Sequence, residues 1–221
     1  MQLYALKNGE KREIIVMNGQ SQYTIPYIPG ATTVGVTCPE GVILASEKRV
    51  SYGYLVMSRS MKKVFKLTDR IGAACAGLVA DMQVLARQVT AYANLFRLEY
   101  NRPISVKATA KIMSNLLFDR RLMPLITQTI IGGIDDEGPS IYALDILGSL
   151  IPDKFTVAGS GAEIAVGILE EEYRDDMTID ETKDLIERAI KSAVSRDIMS
   201  GDGIDYLIIT ESGTREETTK F

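Results

Sequence analysis

The stretch Ile28–Arg49, IPGATTVGVTCPEGVILASEKR, decides how the rest of the chain is read. Pro29-Gly30 breaks the backbone, and Thr32 to Cys38 (TTVGVTC) then forms a β-branched run that reads as a strand. Gly41 to Arg49 (GVILASEKR) reads as its partner across the Pro39-Glu40-Gly41 turn, so the pair is a β-hairpin. The first core element therefore starts late, behind a segment that runs from Met1 to Gly30. In that segment Lys7, Glu10, Lys11, Arg12 and Glu13 interrupt any apolar core of a secretory signal. REIIVMNG, Arg12–Gly19, can pair as a strand, and YTIPYIPG, Tyr23–Gly30, reads as extended because each proline pushes the preceding residue that way.

Downstream, the glycine-bearing link VSYGYLVMS leads to KKVFKLTDRIGAACAG, two further strands turning at Thr68-Asp69-Arg70. From Leu78 the apolar period changes to about 3.6, with Val79, Met82, Leu85, Val89, Tyr92 and Leu95 on one stripe of a long helix that Pro103 ends. A second helix follows from Ser105, a good N-cap, and should lie antiparallel to the first. Strand character returns at TQTIIGGID and SIYALDIL, joined by the turn Asp135 to Pro139, and again at DKFTVAGSG. Two more helices are expected, at AEIAVGILEEEYR and at IDETKDLIERAIKSAVSRDI. In the latter Asp180 can cap, and Ile179, Leu185, Ile186, Ala189, Ile190 and Val194 line one face. IDYLIIT is the last expected strand, and the polar tail ESGTREETTKF is expected to fray. Paired strands alternating with paired helices make an α+β sandwich, with sheets inside and helices outside, as one domain.

The chain holds no histidine, which excludes Ser-His-Asp and Cys-His mechanisms and histidine-ligated zinc. Cys38 and Cys75 are too few for a disulfide framework and lack metal-site spacing, so a reducing, cytoplasmic setting is expected, with no metal and no cofactor. A net charge of −4 without long blocks of one sign leaves no footprint for nucleic acid. Every apolar run is broken well short of the ~20 residues that span a bilayer, so no membrane partner is expected.

Taken in order, PGATTVGV, ASEKRV, KKVFKL, AGLVADMQVLARQ, SNLL, IGGID, AGSGAEIAVGILE and SRDIMSGDGID resemble a proteasome β subunit of the archaeal type, from Gly30 to about Thr210. The resemblance implies a threonine-type N-terminal nucleophile hydrolase with a four-layer αββα fold. It also implies a leader, residues 1–30, cut from a hydrolase domain, residues 31–221, so that a freed threonine attacks peptide carbonyls with its own α-amine as base. Its partners would be a seven-membered β ring of one or several kinds of β subunit, α-subunit rings, an ATP-dependent unfoldase acting through the α ring, and unfolded polypeptides as substrates.

Residue by residue, Gly30 matches the last leader glycine, but the nucleophile position holds Ala31, which has no hydroxyl. Thr32 and Thr33 follow, and alternation along a strand turns Thr32 to the other face, so it cannot take over in place. The resemblance assigns Glu47 and Lys63 to the acid–lysine pair beside the nucleophile, with Arg49 helping to hold the acid. Gly77 becomes the oxyanion donor, while Ser160, Asp197 and Ser200 become the groups that orient the amine and its water. Val50, Met61, Cys75 and Val79 line a pocket for a large apolar residue before the scissile bond, Cys75 being equally readable as a small core hydrophobe. Two readings differ in class. Either the alanine is an introduced change that traps a peptidase as its precursor, or it is natural in a subunit that builds a ring beside an active β subunit. The intact set around position 31 favours the first.

Overall fold

A computed structural model describes Tyr4–Asn8, Lys11–Ile15 and residues 30–221. In chain order the strands and helices are β1 (Tyr4–Asn8), β2 (Lys11–Ile15), β3 (Thr33–Cys38), β4 (Gly41–Glu47), β5 (Val50–Tyr52), β6 (Leu55–Ser58), β7 (Val64–Lys66), β8 (Ile71–Gly77), α1 (Val79–Tyr100) and α2 (Val106–Asp119). They continue as β9 (Thr127–Asp135), β10 (Gly138–Leu144), β11 (Ile151–Asp153), β12 (Phe155–Ala158), α3 (Ala162–Glu172), α4 (Ile179–Val194), β13 (Ile204–Thr210) and β14 (Gly213–Thr219). The pairing of β1 with β2 agrees with the reading of REIIVMNG as strand-forming. Residues 23–29, expected to be extended, lie outside the described residues.

Two five-stranded antiparallel sheets, ordered β11-β10-β9-β8-β7 and β12-β3-β4-β13-β14, stack through Val42, Leu44, Ala74, Ile130, Leu207 and Ile209. α1 and α2 cover the outer face of the first sheet, and α3 and α4 cover that of the second. This is the four-layer αββα sandwich. β4 is buried at every position because one face meets the other sheet, through Val42 and Leu44, and the other meets helices, through Ile43 and Ala45. Glu47, the last residue of β4, is therefore delivered fully buried, which a charged side chain tolerates only with partners.

Local chemistry explains where the helices start. Ser105 caps α2, its hydroxyl accepting from the Ala108 N–H. α4 is capped by Thr178 and not by Asp180: the Thr178 hydroxyl accepts from the Glu181 N–H while Glu181 reaches back to the Thr178 N–H, a reciprocal capping box. Asp180 stands one residue inside the helix, where its charge suits the N-terminal dipole. On α1 the expected stripe is shorter than its period suggests. Met82, Leu85 and Val89 are buried with Ala86 and Ala93, but Tyr92 and Leu95 are exposed. On α4, Ala193 joins the expected core face as a fully buried residue, and the half-buried Val194 packs at its margin.

Five strands escaped the sequence reading: β1, the β5–β6 hairpin inside the stretch read as a glycine-bearing link, and the edge strands β11 and β14. β11 is a short edge strand containing Pro152, and the tail expected to fray is β14, paired along its length with β13. β14 alternates no apolar residues because it is an edge. The main-chain ladder holds it, together with Thr218 donating to Asp205 and the Lys62–Glu216 and Lys183–Glu217 ion pairs.

Candidate active site

The start of β3, the end of β4, the start of β7 and the end of β8 converge at one end of the sandwich. Across β3 and β4 the Glu47 N–H donates to the Thr32 carbonyl, 3.1 Å. Across β7 and β8 the Cys75 N–H donates to the Lys63 carbonyl, 2.9 Å, and the Thr33 hydroxyl crosses between the sheets to the Cys75 carbonyl, 3.1 Å. Lys63, 3% exposed at its side chain, donates to Glu47, 0% exposed, in a closely approached ion pair. The second carboxylate oxygen of Glu47 accepts main-chain N–H groups from Arg49, 2.6 Å, and Gly201, 2.9 Å.

Burial pushes the Lys63 ammonium below the ordinary lysine range, against the pull of Glu47. Burial also pushes the Glu47 carboxyl up, against Lys63 and the Gly201 and Arg49 donors.

Ala31 is fully buried. Its carbonyl accepts from the Gly161 N–H, 3.3 Å, and from the Ser160 hydroxyl, 3.4 Å. Ser160 and Ser200 both donate to one oxygen of Asp197, at 2.6 and 2.7 Å, so the three expected orienting residues meet in one network. That network reaches the strand again through Thr32, whose hydroxyl lies 2.8 Å from that of Ser200. Thr32 and Thr33 are thus both committed, Thr32 to Ser200 on one face and Thr33 to Ser46 and the Cys75 carbonyl on the other. Ala31 stands two residues before β3, next to Thr32, whose carbonyl accepts the Glu47 N–H.

Glycines permit the close approaches. A Cβ on Gly30 would overlap the Ser160 hydroxyl and the Met199 side chain. Gly77, at φ 140°, would drive a Cβ into the Ile126 carbonyl. Of the expected pocket residues, Val50 opens β5, Val79 opens α1, and Met61 is held by its N–H on the Lys48 carbonyl, 3.0 Å. Cys75 faces the α1–α2 layer beside Met82 and Leu85 and accepts from the Thr129 hydroxyl, and burial pushes its thiol up to about 12. Its packing is that of a core residue.

Arg49 holds Glu47 by its main chain, while its guanidinium goes to Asp202, 2.8 Å, and to the Ile198 carbonyl, 3.1 Å. The sequence reading missed Asp202, its second partner Arg59 at 2.6 Å, and Gln128, which accepts the Gly159 N–H at 2.8 Å. The non-glycine residue between Gly201 and Gly203 was the available signal for Asp202. Nothing in the sequence points to Arg59 or Gln128.

Two antiparallel sheets between helix pairs form an αββα sandwich, consistent with the N-terminal nucleophile hydrolase type. The family model described as proteasome subunit matches residues 29–209, and the chain belongs to that family. It is 48% identical over 192 residues to proteasome subunit beta 1 of Nitrosopumilus maritimus, covering 87% of this chain and 96% of that one. It is likewise 48% identical to proteasome subunit beta 1 of Cenarchaeum symbiosum and to proteasome subunit beta 2 of Caldivirga maquilingensis. Those alignments cover 86% of this chain and 97% and 94% of the relatives.

Proposed function

We propose that this proteasome β subunit carries the apparatus of a threonine endopeptidase around position 31, and that Ala31 leaves it unprocessed and inactive. The reading rests above all on the buried Lys63–Glu47 pair beside the start of β3. A buried ion pair contributes little net stability, so its place here is better explained by chemistry than by folding. With a threonine at position 31, Lys63 would favour ionisation of its hydroxyl, which would add to the Gly30 carbonyl. The C–N bond between Gly30 and that threonine would then break and leave an ester on the hydroxyl and a free amine on residue 31. Water would release the leader, residues 1–30, by hydrolysing the ester. The free amine, oriented by Ser160, Asp197 and Ser200, would serve as base for later substrates, and the Gly77 N–H would receive the oxyanion.

The partners in this reading are further β subunits in a ring, α subunits, an unfoldase that feeds the barrel, and unfolded polypeptides in a cytoplasmic setting. Exposed Tyr52, Tyr54, Leu55 and Met57 on the β5–β6 hairpin supply apolar surface for such contacts. No helix among the described residues is long and apolar enough to cross a membrane. The relatives' names distinguish beta 1 from beta 2, which favours a second reading in which the chain builds the ring beside an active β subunit.

The test is peptide cleavage by Ala31→Thr particles assembled with α subunits. Gain of cleavage after large apolar residues, abolished by adding Lys63→Ala, supports the peptidase reading. Assembled Ala31→Thr particles without peptidase activity support the structural one.

A further inference from the structure

Asp202 is one of two described non-glycine residues with positive φ, at 69°. An L-residue held there carries a local cost of about 1 kcal/mol or more, which the surroundings must offset. They do so through its carboxylate, whose two oxygens go to two different arginines: Oδ2 to Arg49 Nε, 2.8 Å, and Oδ1 to Arg59 Nη1, 2.6 Å. Arg49 then lies flat against Gly201, so closely that a Cβ on Gly201 would overlap its guanidinium, and it also holds the Ile198 carbonyl. Gly201 in turn gives its N–H to Glu47 and its carbonyl to the Lys48 N–H. Arg59 follows β6 directly, so the same carboxylate ties the β5–β6 hairpin to the loop that carries Asp197 and Ser200.

We propose that Asp202, clamped by Arg49 and Arg59, is a positioning residue for the site. It seats the Asp197–Gly203 loop on Glu47 and latches that loop to the hairpin whose two ends flank Val50 and Met61. It touches no reacting group, and acts through Arg49 and Gly201. The proposal deepens the peptidase reading and rests on it for its kinetic consequence, but the clamp itself is a feature of the Ala31 chain.

Two measurements separate the two claims. In the Ala31 chain, hydrogen exchange over residues 197–203 is expected to speed up at least about tenfold in Asp202→Ala and in Arg59→Ala. Arg59→Lys, which keeps the charge, should recover most of the Arg59→Ala loss. In the Ala31→Thr background, Asp202→Gly relieves the backbone yet removes the anchor. It is expected to lower kcat about tenfold with KM nearly unchanged, the signature of a mispositioned site. Unchanged exchange in Asp202→Ala overturns the clamp. Faster exchange with an unaltered kcat in Asp202→Gly overturns the positioning role. An inactive Ala31→Thr parent would count against the peptidase reading, and the exchange arm would still decide the clamp.

Discussion

The two ends of the sandwich contrast sharply. At one end β4 and the start of β7 bury the Glu47–Lys63 pair, with Glu47 also accepting the Arg49 and Gly201 N–H groups, and the buried Ala31 stands beside Thr32, whose carbonyl takes the Glu47 N–H. At the other end the same β7 and β8, with the far end of β9, open on a cavity of about 830 Å³ lined by Lys66, Asp69, Arg70, Arg97, Arg102, Asp136 and Glu137. The open cavity holds the weaker chemistry. Its charges are of both signs and face solvent, and its best-placed carboxylate, Asp135, is spent on the Val106 N–H at the start of α2. Concavity alone does not mark a site; buried charge with directed donors does.

The contrast would break most visibly in stability. Lys63→Ala leaves the Glu47 carboxylate buried without its cation and is expected to cost about 3–5 kcal/mol. Arg97→Ala, at the cavity end, should stay within about 0.5 kcal/mol. Denaturant unfolding of the purified chain measures both, and equal losses would erase the distinction. A smaller but more local effect is expected from Gly30→Ala in the Ala31→Thr background. Its methyl meets Ser160 and Met199, and leader removal, followed by gel shift over time, should slow by up to about 100-fold. Normal processing would mean that this junction yields easily.

The least effect concerns acid. Arg49 beside Asp202, more than Arg59, holds the Asp202 carboxyl below its usual range. Its stabilising contribution is therefore present above the unfolded value near about 3.9 and is lost as pH falls through the folded value. Asp202→Asn should flatten the acid side of the stability–pH curve there, measured by denaturant unfolding across pH; an unaltered curve would contradict the clamp's hold on this carboxyl.

How much of this was legible beforehand follows from what each signal depends on. The hairpin at Thr32–Glu47 and the helices announced themselves through β-branched runs and a 3.6-residue apolar period, which burial on known faces produces. β14 did not, because an edge strand held by main-chain pairing and surface ion pairs needs no apolar alternation. Thr178 was overlooked as the α4 cap because Asp180, an equally good capping type, stands two residues on. At the site, Glu47 and Lys63 are charged residues at strand ends, a kind found far more often at the surface, and only their place in an ordered resemblance to a family pattern singles them out. The Asp202 clamp joins residues 49, 59 and 202, so only the folded chain brings it into view.

The most direct measurement is the intact mass of the Ala31→Thr chain after assembly with its partner subunits. The expected result is a chain beginning at residue 31, shorter by residues 1–30, while the Ala31 chain in the same preparation keeps them. An Ala31→Thr chain that retains its first thirty residues in fully assembled particles would contradict the assignment of position 31 as the nucleophile's seat.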